Sequence, residues 1–287
     1  MDGNYELFRY FFPLPSHKNI RGREVAATRG VLGSVLSMLE SGVTHLGVAT
    51  DHVIESFRNR LWSGYKTSAG VPATLFEQFP LLEEGLEALG VKRWAMSELE
   101  ADDALGAAAL RAEQDASVQR VYICSPDKDL AQCVRGERVV QLERRTGKLI
   151  NEAGVLAKFG VAPDSIPDYL ALVGDSADGY PGLPGWGSRS AATVLRRYRH
   201  LEGIPPQAGE WDVPLRGADK LAATLRDQLD LAYLFRHLAT LRCESPVFED
   251  VEELRWRGPT ADFAVFCRRN DALPLLERAL RASLPDS

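Results

Sequence analysis

The sequence predicts an α/β fold with a parallel sheet, followed by a region built almost entirely of helices. Three observations lead there. His45–Thr50 is a short apolar run of the kind a buried parallel strand shows, and Val91–Met96, Arg120–Cys124 and Val139–Leu142 read as further strands. Helical stretches separate them, and strands alternating with helices imply parallel βαβ units. From Glu152 onward the pattern is helical almost throughout.

Taken in order, Gly3–Ser16 holds an aromatic cluster: Tyr5, Phe8, Tyr10, Phe11 and Phe12, interrupted by Arg9. Thr28–Ser41 places Val31, Val35, Leu36 and Leu39 at helical spacing, and Gly42 closes that helix. The first strand ends in Asp51. Phe57–Pro80 reads as irregular, basic at first (Arg58, Arg60, Lys66), with Trp62 and Tyr65 interleaved. Its lack of apolar periodicity predicts a segment that orders only on substrate. Leu81–Leu89 is a helix capped by Gly90. Glu98-Leu-Glu100-Ala-Asp102-Asp103 opens an alanine-rich helix, with acidic residues in the first turn to suit its dipole. The third strand runs into Ser125-Pro-Asp127-Lys-Asp129. Leu221–Leu241 and Asp262–Ala282 are helical, and 203–211 is a Pro- and Gly-rich connection.

At 287 residues the chain can bury a real core in one large domain or two. No apolar run is long enough to span a membrane, and the N-terminus lacks a basic stretch followed by an apolar one. Cys124, Cys133, Cys243 and Cys267 show no metal spacing, so reduced thiols in a cytoplasmic protein are expected. A net charge of −6 argues weakly against a nucleic-acid partner, because carboxylates that hold cations inflate it.

The chemistry concentrates in Leu172–Ala191. Asp175 and Asp178 follow an apolar run, and carboxylates hold hard divalent cations. Behind them the glycine-punctuated loop with Gly182, Gly185 and Gly187 leads into a helix that begins near Ser188 and carries Arg189, Arg196, Arg197 and Arg199. A Gly-rich turn opening onto a helix N-terminus suits a phosphate. The two halves predict a metal ion beside a nucleic-acid backbone.

Other acidic residues fall where an open α/β sheet collects its ligands, at the carboxyl ends of strands. Asp51 ends one strand. Glu100, Asp102 and Asp103 follow another, and Asp127 and Asp129 a third. Asp2 sits where a further strand would end. Any one of these is most often a helix cap, Asp103 and Asp129 above all. So many carboxylates at one edge repel one another unless cations intervene. An all-oxygen set favours Mg²⁺ or Mn²⁺, and its size allows two ions and two-metal phosphoryl transfer.

These residues, in this order, resemble the bacterial 5′ nuclease family: the 5′–3′ exonuclease region of DNA polymerase I, free-standing exonucleases and phage flap endonucleases. Asp2-Gly3 with Arg9-Tyr-Phe-Phe12 is similar to the family's opening. So are Asp51 with Phe57-Arg58, Tyr65-Lys66 of its helical arch, and the acidic groups Glu100-Ala-Asp102-Asp103, Asp127-Lys-Asp129 and Gly174-Asp175-Ser-Ala-Asp178. Pro181–Ala191 resembles its helix–three-turn–helix element, and Leu238–Arg242 its C-terminal helix region.

The resemblance implies a Rossmann-like (PIN-like) nuclease core over residues 1–160, with the arch at about 57–80. An all-α DNA-binding region over 161–287 would follow, its helix–three-turn–helix element at about 170–200. It implies two Mg²⁺ or Mn²⁺ ions on Asp2, Asp51, Glu100, Asp102, Asp103, Asp127, Asp129, Asp175 and Asp178. Arg9 and Lys66 would meet the scissile phosphate. Arg58, Tyr65, Gly182, Gly185, Gly187, Ser188 and Arg189 would bind DNA, with K⁺ possible at the loop. The partner would be DNA with 5′ ends, nicks, flaps or branches, met by a free-standing monomer working at the nucleoid, with no membrane involved. The alternative is a protein that binds branched DNA without cutting it. A haloacid-dehalogenase-type phosphatase is disfavoured, since Asp2-Gly3-Asn4 lacks the second Asp of its motif.

Three positions depart from the family pattern. Ala69 stands where the arch often has Arg, Gly179 stands where Asn is frequent, and only Met1 precedes Asp2. A strand of about five residues normally seats such an Asp. The expectation is therefore a natural start further upstream or, failing that, an Asp2 on a mobile terminus.

Overall fold

The computed structural model describes residues 1–283. In chain order the elements are α1 (Gly3–Phe11), α2 (Ala26–Glu40), β1 (Gly47–Asp51), α3 (Phe57–Leu61), α4 (Ala73–Phe76), α5 (Gln78–Ala88), β2 (Lys92–Met96), α6 (Ala101–Glu113), β3 (Val121–Ile123), β4 (Val139–Glu143), β5 (Lys148–Ile150), α7 (Glu152–Phe159), α8 (Ile166–Val173), α9 (Ser188–Tyr198), α10 (Ala218–Asp227), α11 (Leu229–Ala239), α12 (Ala261–Arg269) and α13 (Leu273–Ala282). They fall into two compact units. One comprises Met1–Ile54, Ser68–Ala108 and, among the described residues, 244–283; the other comprises Glu55–Thr67 and Ala109–Cys243. Residues 284–287 of the expected helical region lie outside the described residues.

In the first unit β1 and β2 pair in parallel, Gly47 opposite Lys92 through Asp51 opposite Met96. Val48, Leu7, Val31, Leu32, Val35, Leu36, Leu82 and Leu86 are buried around that pair and supply its apolar cover. The N-terminus is tied to the same sheet edge. The Met1 ammonium donates to the Gly47 carbonyl (2.7 Å), the Ala49 amide donates to the Met1 carbonyl (3.0 Å), and Asp2 bridges Ala49 in parallel register. This corrects the expectation of a mobile Asp2. One residue of strand-like pairing seats it, because both polar groups of Met1 are used.

In the second unit β3 and β4 are parallel, but β4 and β5 are antiparallel, with Gln141 opposite Ile150. The sequence reading missed β5, a three-residue strand too short to show a period. An apolar core of α8, α9, α10 and α11 side chains, including Leu170, Leu172, Leu195, Leu225 and Phe235, fills this unit. Its helices confirm the all-α character expected of the later chain. The segment Glu55–Thr67 belongs to this core, contrary to the expectation that it orders only on substrate: Tyr65 is buried in it. Arg58 explains the anchoring. It is 2% exposed and donates through Nε to the Leu238 carbonyl (2.8 Å) and through Nη2 to the Thr240 carbonyl (3.2 Å). A guanidinium there satisfies carbonyls at the C-terminal end of α11, where a cation is favoured.

Candidate metal centre

The centre of the second unit is a tight loop after α8. Gly174 (φ +80°) turns the chain out of the helix. The Asp175 amide then donates to the Tyr180 carbonyl (2.8 Å) and the Tyr180 amide returns to the Asp175 carbonyl (3.0 Å). Asp175 Oδ1 accepts from the Ala177 amide (2.9 Å), so the loop is braced from within. Asp175 and Asp178 are thereby fixed on one short turn, both buried.

Asp129 joins them from the first turn of a 3₁₀ helix, Asp129–Cys133. The turn before it is fastened by Ser125 Oγ, which accepts from the Asp127 amide (3.2 Å), and by Asp127 Oδ1, which accepts from the Asp129 amide (2.9 Å). Gln141, buried on β4, donates to the Asp127 carbonyl (2.7 Å) and holds the turn to the sheet. Asp129, Asp175 and Asp178 each offer one carboxylate oxygen, and these lie within 4.8 Å of one another.

The electrostatics of this trio call for a cation. Asp129 Oδ1 is buried with no hydrogen-bond partner. Burial, and then the charges of Asp127, Asp178 and Asp175, push the Asp129 carboxyl well above the usual aspartate range. Two lysines neutralise the others: Lys128 Nζ is 2.8 Å from Asp175 Oδ2, and Lys66 Nζ is 3.0 Å from Asp178 Oδ1. Burial pulls the Lys128 ammonium down, but its bond to Asp175 and the surrounding aspartates outweigh that and hold it above the ordinary lysine value. An all-carboxylate donor set with one orphaned buried oxygen fits a hard divalent cation.

Lys66 arrives on the Glu55–Thr67 segment, which grips this loop mainly through backbone. The Lys66 amide donates to the Asp178 carbonyl (2.9 Å), and Trp62 Nε1 donates to the Gly179 carbonyl (3.0 Å).

In the first unit the carboxylates gather at the carboxyl ends of β1 and β2 and at helix N-termini. Asp2 caps α1 by accepting from the Tyr5 amide (2.8 Å). Asp51 Oδ1 accepts from the Ala101 amide (2.6 Å) at the start of α6, and Asn4 holds Asp51 by accepting from its amide (2.9 Å). Asp103 Oδ2 accepts from the Glu100 amide (2.9 Å). Glu100 and Asp103 are buried. Capping and cation-holding are thus not exclusive for these residues, since a cap uses one carboxylate oxygen.

The profile described as "5'-3' exonuclease, N-terminal resolvase-like domain" matches residues 1–160, and "5'-3' exonuclease, C-terminal SAM fold" matches residues 161–262. The chain belongs to the 5′-3′ exonuclease family. A 5'-3' exonuclease of Aquifex aeolicus is 33% identical over 71% of this chain and 70% of its own length. DNA polymerase I of Bacillus caldotenax is 32% identical over 90% of this chain but only 29% of its own length, so the chain spans under a third of that relative. The flap endonuclease of bacteriophage T5, in a pseudo-enzyme-product complex with DNA and metal ions, shares the fold with a TM-score of 0.65 at 18% identity, covering 97% of each chain.

Within this exonuclease-family chain several expected site residues take other duties. Arg58, expected on DNA, is buried and spent on the carbonyls of Leu238 and Thr240. Tyr65 is buried among helices, which withdraws its ring from any surface. Gly182 (φ +69°) is buried as well; a Cβ there would lie 2.4 Å from the Gly174 nitrogen, so its lack of a side chain lets the chain cross there. Asp127 fastens the turn, whereas Asp129 enters the trio.

The rest of the loop is better placed for a phosphate backbone. Gly185 (φ +84°), Gly187, Ser188 and Arg189 are exposed. The Gly187 amide is already given to Ser190 Oγ (3.0 Å) and the Trp186 amide to the Leu183 carbonyl, so the loop's amides are not all available. Trp186 pins the loop inward by donating to the Leu221 carbonyl (3.3 Å). Arg9 is ion-paired with fully buried Glu6 one turn earlier on α1. Sequence reasoning missed Glu6, Asn4, Ser125, Lys128, Gln141 and Tyr180, whose roles depend on partners no local pattern announces.

Proposed function

We propose that the chain is a divalent-cation-dependent 5′–3′ exonuclease and 5′ flap endonuclease that hydrolyses DNA phosphodiesters at or near free 5′ ends. The observation that carries this reading is the buried trio Asp129, Asp175 and Asp178 with its orphaned oxygen. Family membership supports it, as does the printed description of the T5 structure, which holds both DNA and metal ions. Residues 1–160 serve as the nuclease core and 161–287 as the DNA-gripping region.

The ions are Mg²⁺ or Mn²⁺, two in number. Asp129, Asp175 and Asp178 would hold one, and Asp2, Asp51, Glu100, Asp102 and Asp103 would supply ligands for the other. Bound divalent cations lower the pKa of a coordinated water and neutralise charge on a phosphate. Hydrolysis joins the water oxygen to phosphorus and breaks the P–O3′ bond, leaving a 3′ hydroxyl upstream and a 5′ phosphate downstream. Lys66 is ion-paired with Asp178, which brings its ammonium to the edge of the trio. Lys66 and Arg9 are the cations that would meet the scissile phosphate. Gly185, Gly187, Ser188 and Arg189 position the duplex through phosphates, which carry no base information. K⁺ at this loop is a further element of the reading, as is work as a monomer in the cytoplasm. No helix among the described residues is long and apolar enough to cross a membrane.

The test is cleavage of a 5′-labelled flap substrate in Mg²⁺, with EDTA and Asp129→Ala as controls. Both controls should abolish cutting while flap binding persists. Binding without Mg²⁺-dependent cutting by the unaltered chain would leave the branched-DNA-binding alternative.

A further inference from the structure

Beneath the acidic loop lies a side chain that the proposed mechanism does not use. Tyr180 is 1% exposed, and its ring stacks on Phe235 with centroids 5.5 Å apart and planes 28° from parallel. Phe235 is buttressed in turn by Trp62, edge-on at 5.1 Å. The ring is therefore clamped, and its backbone is clamped too, by the paired hydrogen bonds to Asp175. Yet the hydroxyl has no hydrogen-bond partner. A buried hydroxyl left unmet costs about 1–3 kcal/mol, so its position asks for a reason.

Its surroundings supply one. Asp175 and Tyr180 form an antiparallel bridge, and directly opposed side chains of such a pair share a face, so the phenol lies on the side of the loop that carries Asp175. Its hydroxyl can donate one hydrogen bond. In the same trio Asp129 Oδ1 is a buried acceptor without a partner. A buried donor and a buried acceptor, each without a protein partner, are groups that a cation and its water would satisfy.

We propose that the Tyr180 hydroxyl is a positioning residue of the metal centre, donating a hydrogen bond to a water held by the cation on Asp129, Asp175 and Asp178, or to Asp129 itself once the cation is bound. The inference rests on the proposed metal-dependent function. Its rigid stacking on Phe235 sets the donor in advance, so no side-chain entropy is lost when the ion arrives.

Tyr180→Phe removes the oxygen and keeps the ring. Mn²⁺ titrated into each chain by calorimetry, without DNA, gives the affinity, and melting in EDTA gives the metal-free stability. Tyr180→Phe should bind Mn²⁺ about tenfold more weakly, the lower end of what losing a ligand's hydrogen-bond partner costs. It should melt in EDTA no lower than the unaltered chain, because the lost hydroxyl had no protein partner. Equal Mn²⁺ affinity in the two chains would overturn the role of Tyr180 and leave the metal-dependent function standing. An unaltered chain that takes up no Mn²⁺ would overturn both.

Discussion

Gly179 lies so close to Gly64 that a Cβ built on Gly179 would come within 2.0 Å of the Gly64 carbonyl oxygen. Gly179 also has φ +82°, so two independent demands exclude a side chain there. The contact belongs to the same seam as the Lys66 amide on the Asp178 carbonyl, and it brings the Lys66 ammonium to the acidic trio.

Gly179→Ala should accordingly lose on the order of 2–4 kcal/mol, from the left-handed backbone and the steric clash together. Urea denaturation measures this. Cleavage should fall further than folding alone explains, because the segment carrying Lys66 is pushed off the loop. A variant with unchanged urea midpoint would show that the seam gives way freely.

Asp129 and Asp127 should separate in mutagenesis. Asp129→Ala removes a member of the trio and should cost several orders of magnitude in Mg²⁺-dependent cleavage. Asp127→Ala loosens the turn that presents Asp129 and should cost less, with a smaller loss in Mn²⁺ affinity by calorimetry. The reverse order would place Asp127 in the metal centre.

The raised carboxyl of Asp129 predicts a pH dependence. A carboxyl whose pKa is higher in the folded state favours folding when protonated. That contribution is complete below the ordinary aspartate value of 3.8 and is lost as pH climbs through the raised value. In EDTA, Asp129→Asn should therefore melt above the unaltered chain, by a margin that widens from pH 4 toward neutrality. Mg²⁺ should close or invert the gap at neutral pH, since a carboxylate holds the ion more tightly than an amide does. Thermal melts at several pH values, with EDTA or Mg²⁺, check both statements.

Arg58 and Arg189 should behave oppositely. Arg58→Met takes the guanidinium from the buried Leu238 carbonyl and the part-buried Thr240 carbonyl and should destabilise by on the order of 3 kcal/mol, without changing the salt dependence of DNA binding. Arg189→Ala should leave the melting temperature nearly unchanged and reduce the slope of log affinity against log salt by about 1. A lowered slope for Arg58→Met would restore it to the DNA interface.

Much of this was legible beforehand, for definable reasons. Strands β1 to β4 are short segments rich in strand-forming residues between helical stretches, and the acidic residues after β1, β2 and β3 are where such sheets collect ligands. Asp175 and Asp178 were readable because their spacing sits on one turn. The segment through Trp62 and Lys66 was not. It looks irregular because it is held by main chain and by a partner 117 residues away, Gly179, so no periodicity records it. Nor could the sequence show that Gly182 faces Gly174 and not solvent, or that Met1 alone would pair Asp2 to β1. Such facts reside in tertiary proximity, which one-dimensional pattern does not carry.

The Arg58 clamp has a temporal side. Its donor precedes its acceptor at Leu238 by 180 residues. At a synthesis rate of about 5–20 residues per second, that gap amounts to roughly 10–40 s during which the nascent segment has no carbonyl to grip. Closing so long a loop also slows folding relative to a chain of local contacts. A fragment released before residue 238 would hold every acidic ligand proposed above and still lack the carbonyls that seat Arg58. The fold thus ties the seating of Arg58 to synthesis of the chain through Thr240.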